Sequence, residues 1–182
     1  MHIAQYSDLK NASVYITGGG SGIGAALTEG FVAQNAQVAF IGRSDASAFC
    51  TEMENKYGNR PLFIQGDITD TTALKISMEK AAKAHGPITI LINNAANDKR
   101  HSAEEVTPEF WDWMIEVNLK ACFFACQTVL PQMRQAGFGS IINFSSISYM
   151  MGNAGYPIYT ACNSAINGLS RSLAREFGPD KI

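Results

Sequence analysis

The stretch Thr17-Gly18-Gly19-Gly20-Ser21-Gly22-Ile23-Gly24 decides the fold, because it joins a strand pattern at residues 13–17 to a helical pattern that ends near Asn35. Gly18 permits a tight turn, Gly22 lets the backbone approach a pyrophosphate, and Gly24 allows a helix to pack closely on a strand. A glycine cluster alone is also compatible with a plain turn. Its position between a strand and a helix favours dinucleotide phosphate binding at the helix start.

The rest of the chain alternates short apolar runs with longer amphipathic ones, which is typical of βαβ units around a parallel sheet. The predicted strands are residues 13–17, 37–41, 61–65, 88–92 and 140–144. The predicted helices are residues 22–35, 70–85, 108–137 and 158–177, the third with Thr107 as its N-cap. We expect a doubly wound α/β Rossmann sheet in strand order 3-2-1-4-5, built as one dinucleotide-binding domain over residues 1–182.

Composition excludes several classes of function. Apolar residues make up 46% and charged residues 16% of the chain, which indicates a globular protein. The net charge of −2 gives no basic face for nucleic acid or for a membrane surface, and no apolar stretch has the length of a membrane span. Without a signal-peptide pattern or metal-ligand spacing among the four cysteines, we expect a cytoplasmic protein with no bound metal.

Two positions bear on which dinucleotide is bound. Arg43 follows the second strand, where a carboxylate would select NAD, and an arginine suits the 2′-phosphate of NADP. The sequence therefore favours NADP over NAD, although Arg43 is also compatible with a merely solvated or adenine-stacking side chain. Asp67 follows the third strand and is either an acceptor for the adenine amino group or a turn aspartate.

Four motifs together resemble the short-chain dehydrogenase/reductase family over the whole chain. The glycine loop resembles the family's TGxxxGxG sequence, and Asn93-Asn94-Ala95-Ala96 resembles its NNAG sequence with alanine at the last place. Asn118 matches the helix asparagine of the catalytic tetrad, and Ser146 matches the serine thirteen residues before the catalytic tyrosine, here Tyr159. The segments 94–101 and 146–149 look most like the family's sugar dehydrogenases, which act on xylose, galactose or rhamnose.

The resemblance implies a set of site residues. The catalytic positions are Asn118, Ser146, Tyr159 and Asn163. The implied dinucleotide-binding residues are Gly18, Ser21, Gly22, Ile23, Gly24, Arg43, Asp67, Ile68, Asn94 and Ala95. The implied reaction is hydride transfer between NAD(P) and a secondary alcohol or carbonyl, by that resemblance a sugar, with the tyrosine oxygen exchanging the hydroxyl proton.

Asn163 departs from the family pattern, which has a lysine four residues after the tyrosine. A free tyrosine has a pKa of about 10 and is a poor base at neutral pH, and the family's lysine compensates by its charge. An amide can bond ribose hydroxyls but cannot stabilise a phenolate by charge. The sequence thus leaves open a catalytically impaired or inactive nucleotide-binding pseudoenzyme or fragment as the alternative to an active oxidoreductase.

The end of the chain gives two further expectations. Family members continue into two more strands, a Pro-Gly turn and a substrate-covering loop, so the chain is expected to be C-terminally truncated relative to them. The apolar edge at residues 140–144 is then explained by truncation or by an oligomeric partner. The long helices 108–137 and 158–177 are expected to form a homo-oligomer surface, with apolar residues in excess of one face: Phe123, Phe124, Leu130, Ile166 and Leu169.

Aromatic and histidine side chains near the site have less specific interpretations. Trp111 and Trp113 are expected to serve in packing. His101, in the loop after the fourth strand, either contacts a sugar hydroxyl or is a lone surface histidine.

Overall fold

A computed structural model describes residues 4–182, and its centre is one sheet of five parallel strands. The strands are β1 (Ser13–Thr17), β2 (Gln37–Gly42), β3 (Leu62–Gln65), β4 (Ile90–Asn93) and β5 (Ser140–Asn143). They lie in the order β3-β2-β1-β4-β5, and every neighbouring pair is parallel. The doubly wound α/β class and the predicted strand order are therefore confirmed.

Helices cover both faces of the sheet. They are α1 (Gly22–Ala33), α2 (Ser47–Tyr57), α3 (Thr71–His85), α4 (Pro108–Ile115), α5 (Ala121–Ala136), α6 (Ser148–Met151) and α7 (Pro157–Phe177). A π-helical turn, Glu116–Lys120, joins α4 to α5, so that the predicted helix 108–137 is continuous but not regular. The Thr107 side chain accepts a hydrogen bond from the Phe110 amide, which confirms the predicted N-cap.

The sequence prediction missed α2 and the short α6. Helix α2 buries only Cys50 and Met53, so its apolar period is too weak to stand out from the surrounding polar residues. It ends at Gly58, whose φ of 71° is the left-handed conformation typical of a glycine that terminates a helix.

Side chains of β1 alternate between two apolar cores. Val14 and Ile16 belong to the core beneath α1 and α2, whereas Tyr15 points into the core beneath α3 and α5. All three are essentially inaccessible to solvent, as expected for the central strand of a sheet covered on both faces. This burial fixes the carboxyl end of β1, from which the glycine loop leaves.

Apolar exposure is distributed differently from the prediction for the long helices. Ile166 is buried, Leu169 packs on the core beneath α3 and α5, and Phe124 and Leu130 are half-buried, which leaves Phe123 as the exposed member of that set. The number of apolar residues overestimates the apolar surface available to a partner, because both helices use part of these residues to cover the sheet. Along β5, the outer strand, Ile142 is exposed.

None of the helices in the described residues 4–182 is sufficiently long and apolar to span a membrane.

We predict that Gly24→Ala destabilises the fold, because an added Cβ would collide with the main-chain oxygen of Gly18 and lie 2.7 Å from Asn94 Nδ2. Overpacking of this kind costs about 1–3 kcal/mol. Gly30→Ala in the same helix is the matched control, since its Cβ would meet nothing within 4 Å. It should instead stabilise the helix by about 0.5–1 kcal/mol. Urea unfolding measures both, and equal effects of the two substitutions would contradict the packing argument.

Candidate functional site

The glycine loop presents free main-chain groups at the carboxyl end of β1. Gly18 and Gly22 have φ values of 71° and 53°, a conformation that side chains other than glycine rarely adopt. Open space surrounds the missing side chain of Gly22, whereas Gly24 is packed against Gly18. Within the described chain the Ser21 side chain does not cap α1, so the first helical N–H groups remain available for an anion. The loop therefore fits a dinucleotide pyrophosphate.

A set of hydrogen bonds clamps this loop to the end of β4. Thr17 Oγ1 accepts from the amides of Asn94 and Ala95 at 3.0 and 3.1 Å. Asn94 Nδ2 donates to the main-chain oxygens of Thr17 and Gly18 at 3.0 and 3.3 Å. The two crossover loops at the centre of the sheet are thus held as one unit, at the switch point where open α/β sheets bind ligands.

A cleft of about 500 Å³ runs along the carboxyl ends of the strands. Every predicted dinucleotide-binding residue except Gly22 lines it: Gly18, Ser21, Ile23, Gly24, Arg43, Asp67, Ile68, Asn94 and Ala95. Gly22 lies in the same loop, between two lining residues. Trp113 and Val117, one turn apart where α4 meets the π-helical turn, form another part of the wall. Trp113 packs against Phe110, with 5.7 Å between the ring centroids, as the sequence predicted. The sequence did not predict that Trp113 also lines the cleft.

Arg43 and Asp45 carry opposite charges in the part of the cleft that follows β2. Arg43 is exposed, and it forms no salt bridge with a carboxylate in the described part of the chain. Asp45 Oδ1 accepts from the amide and the hydroxyl of Ser47 at 2.9 and 2.6 Å, and these bonds lower the pKa of its carboxyl. The Asp45 carboxylate is thereby held at the start of α2, which leaves the Arg43 guanidinium for a ligand.

Asp67 is a turn aspartate that also lines the cleft. Its Oδ1 accepts from the amide and the hydroxyl of Thr69, both at 2.9 Å, so it is a turn aspartate. The residue is also exposed and lines the cleft. The turn therefore engages Oδ1 of a carboxylate that is exposed at the cleft.

Asn118 lies in the π-helical turn and ties it to the loop after β4. Its Oδ1 accepts from the Asn97 amide at 2.8 Å, and its Nδ2 donates to the main-chain oxygens of Asn97 and Met114 at 3.1 and 3.0 Å. π-helical turns are rare and often occur at functional sites. Asn118 is the buried residue of this turn, and its partner Asn97 was indicated by no sequence pattern.

A small pocket of about 20 Å³ adjoins the cleft and shares Ile68 and the segment 94–96 with it. Asn118 and Asn163 both line this pocket. Its volume is enough for one water molecule. Asn93, another lining residue, has a buried Oδ1 without a hydrogen-bond partner among the described residues.

The β5–α6 loop and helix α7 supply the remaining predicted catalytic residues. Ser146 Oγ accepts from the Ser148 amide at 3.2 Å, which leaves its own hydrogen to donate. The neighbouring Ser145 Oγ donates to the main-chain oxygen of Asn163 at 2.8 Å and joins this loop to α7. Tyr159, in the first turn of α7, is half-buried, and its ring centroid lies 5.6 Å from that of Tyr156.

Asn163 is buried and directed back along α7. Its Nδ2 donates to the main-chain oxygen of Tyr159 at 2.9 Å. The position is therefore one helical turn from Tyr159 and on the wall of the small pocket, but it places a neutral amide there.

Two cysteines of α5 contact the side chain of Asn143, the last residue of β5. Cys122 and Cys126 Sγ lie 3.3 and 3.7 Å from Asn143 Oδ1. The hydrogen bond to Cys126 and burial raise the pKa of the Cys122 thiol, which stays protonated. Among the described residues, no three His, Cys, Asp or Glu side chains are arranged to hold a metal ion.

Comparison with known proteins gives a consistent result. Residues 12–182 match the family model described as short chain dehydrogenase. The chain is 43% identical over 181 residues to the Rhizobium meliloti protein named "Probable galactose dehydrogenase GalD", covering 98% of this chain and 71% of the relative. It is 40% identical over 183 residues to a D-xylose 1-dehydrogenase of Caulobacter vibrioides, covering 100% of this chain and 72% of the relative.

A solved structure shares the architecture. The crystal structure of NADH-dependent reductase A1-R′ complexed with NAD superimposes with a TM-score of 0.89 at 25% identity, over 97% of this chain and 76% of the other.

Proposed function

This chain belongs to the short-chain dehydrogenase/reductase family of oxidoreductases, and from that premise we propose that it transfers hydride between a nicotinamide dinucleotide and a sugar. The continuous cleft carries the proposal. Its glycine loop and Arg43 fit the phosphates and the adenosine end, and its other end adjoins the pocket lined by Asn118 and Asn163. The two sugar dehydrogenases among the relatives support an aldose as the substrate class.

In the proposed reaction, Tyr159 exchanges a proton with the substrate hydroxyl and Ser146 orients the same oxygen. A nicotinamide dinucleotide held in the cleft would supply or accept the hydride. Because Ser146 Oγ already accepts from the Ser148 amide, its hydrogen is directed to the substrate oxygen. The Tyr159 oxygen accepts the proton during oxidation and returns it during reduction.

Asn118 and Asn163 have supporting roles in this scheme. Asn118 holds the Asn97 main chain, and a water in the adjacent pocket would connect it to the proton path. Asn163 offers hydrogen bonds to ribose hydroxyls but no positive charge beside Tyr159. Two unit charges about 4 Å apart, at an effective dielectric constant near 20, interact by about 4 kcal/mol. The proposed enzyme therefore works slowly at neutral pH and faster in alkaline solution, where hydroxide can take up the proton released from the substrate.

We further propose NADP as the preferred dinucleotide. The Arg43 guanidinium lines the cleft at the expected ribose position. The nearby Asp45 carboxylate accepts hydrogen bonds from Ser47 instead of pairing with Arg43. An arginine without a carboxylate partner suits a 2′-phosphate, to which it can donate two parallel hydrogen bonds.

The proposed assembly is a homo-oligomer formed through the long helices. The outer face of α7 exposes small side chains that would let a second helix approach closely: Ala161, Ser164, Ala165, Gly168 and Ser172. These positions lie on one side of the helix at 100° per residue. Trp111 and Phe123, on the other long helix, are the exposed aromatic residues there.

The preference for NADP is tested by titrating both dinucleotides into the native protein and Arg43→Asp. Trp113 in the cleft wall provides a fluorescence signal for binding. We expect the substitution to weaken NADP binding at least about tenfold, because charge-assisted hydrogen bonds to the 2′-phosphate are lost, and to leave NAD binding unchanged or tighter, because a carboxylate can accept from the ribose hydroxyls. Lys80→Asp, the same charge change at an exposed position on α3, is the control. Equal affinity of the native protein for the two dinucleotides would reject the preference.

The proposed activity is tested by following dinucleotide reduction with a panel of aldoses from neutral to strongly alkaline pH. We expect the rate of the native protein to rise with pH and Asn163→Lys to raise the neutral rate at least about tenfold. Asn167→Lys, the same substitution one helical turn farther along α7, should not do so. Dinucleotide affinity and melting temperature separate a catalytic effect from unfolding. Absence of turnover at every pH would reject the proposed function, and fast neutral turnover by the native protein would reject the role given to Asn163.

Association is tested by analytical ultracentrifugation of the native protein and Gly168→Glu. A Cβ at Gly168 would meet nothing within 4 Å, so the substitution spares the fold and should shift an oligomer towards monomer. Ala174→Glu, exposed on another side of α7, should leave the sedimentation unchanged. A native protein that stays monomeric at high concentration would contradict the proposal.

A further inference from the structure

His101 is a buried link between the loop after β4 and the start of α7. Only 9% of its surface is exposed, so it is not the lone surface histidine that the sequence suggested. Its main-chain amide donates to the Gly155 oxygen at 2.9 Å, and its ring packs edge-on against Phe110 at 4.9 Å. The neighbouring Arg100 guanidinium stacks 3.9 Å from the centre of the Tyr156 ring, which adds a second contact between the same two segments.

The two ring nitrogens of His101 have partners that demand opposite roles. Nδ1 lies 2.8 Å from the main-chain oxygen of Lys99, and a carbonyl oxygen can only accept. Nε2 lies 3.4 Å from the amide of Ile158, which can only donate. The imidazole that satisfies both partners is neutral, with its proton on Nδ1 and its lone pair on Nε2.

The Nε2 bond supplies a helix cap from a distant part of the chain. The first N–H groups of a helix have no acceptor within it, and the residue before α7, Tyr156, caps it with no side-chain hydrogen bond in the described chain. Ile158 is the second residue of α7, and Tyr159 follows it directly. The imidazole therefore fixes the turn of backbone that carries the Tyr159 ring.

We propose that His101 is a positioning residue of the dehydrogenase reaction. Its Nε2 accepts a hydrogen bond from the Ile158 amide, and this bond holds Tyr159 at the substrate. The proposal rests on the proposed function of Tyr159. His101 does not line the dinucleotide cleft, so its effect falls on the chemical step and not on dinucleotide binding. A displacement of a catalytic group by about 1 Å can lower the rate about a hundredfold.

Two substitutions separate the two nitrogens. His101→Gln places an amide oxygen near the position of Nε2 and can still accept from the Ile158 amide. His101→Asn places its amide nearer the position of Nδ1, where it can donate to the Lys99 oxygen but leaves the Ile158 amide without an acceptor. His85→Asn on α3 controls for loss of a half-buried histidine away from the site.

The kinetic experiment compares kcat, KM and dinucleotide Kd at the alkaline pH where the native protein turns over an aldose. We expect kcat of His101→Asn to fall at least about tenfold with Kd unchanged. His101→Gln should recover kcat to within about threefold of the native value. A role in stability alone would lower the melting temperature of both variants without separating their kcat values, and this outcome would overturn the proposal.

NMR distinguishes failure of this proposal from failure of the proposed function. Long-range proton–nitrogen spectra of the native protein should show the neutral Nδ1–H form of His101. The Tyr159 ring signals, assigned with Tyr159→Phe, should shift in His101→Asn and remain near their native positions in His101→Gln. If the native protein lacks turnover at every pH, the reaction is rejected, and these spectra still decide whether His101 holds Tyr159. An Nε2–H imidazole, or equal ring shifts in both variants, would overturn the positioning role.

Discussion

The close approach of Gly24 to the main-chain oxygen of Gly18 is the constraint on which the cleft depends. No side chain fits between them, so the glycine loop can fold tightly and direct the start of α1 towards the carboxyl ends of the strands. The Asn94 amide completes this unit by donating to the oxygens of Thr17 and Gly18, and it thereby locks the loop after β4 to the loop after β1. Because the side chains of Thr17 and Asn94 hold both loops together, the main-chain N–H groups at the start of α1 are in place before a ligand arrives.

From this unit, rigid contacts extend towards the reacting end of the cleft. The loop after β4 continues from Asn94 to Asn97, where Asn118 holds it against the π-helical turn, and then to His101, which holds the start of α7. These contacts are made by the buried side-chain amide of Asn118 and the buried imidazole of His101. Such buried polar contacts specify one geometry, because any displacement would leave a polar group unpaired away from water.

Asn163 shows that geometry and charge are separate requirements at this site. Its amide lies one turn from Tyr159 and on the wall of the small pocket, so the architecture around the tyrosine is intact. What the position lacks is a positive charge, whose effect on a nearby phenol depends on Coulomb attraction and on no particular hydrogen bond. Under the proposed function, an amide at position 163 keeps the binding surface and changes the acid–base chemistry.

The sequence by itself determined the strands, their parallel order and the glycine loop, largely through short-range rules, and it predicted nine of the residues that line the cleft. Strand and helix periods repeat within a few residues, and Gly18, Gly22 and Gly24 act through local backbone geometry. The tertiary structure alone decided α2, the π-helical turn, the place of Trp113 and the burial of His101. The contact between Asn97 and Asn118 joins residues 21 positions apart, and that between His101 and Ile158 joins residues 57 apart. Contacts at such separations are set by how the elements pack around the sheet, and no local pattern records them.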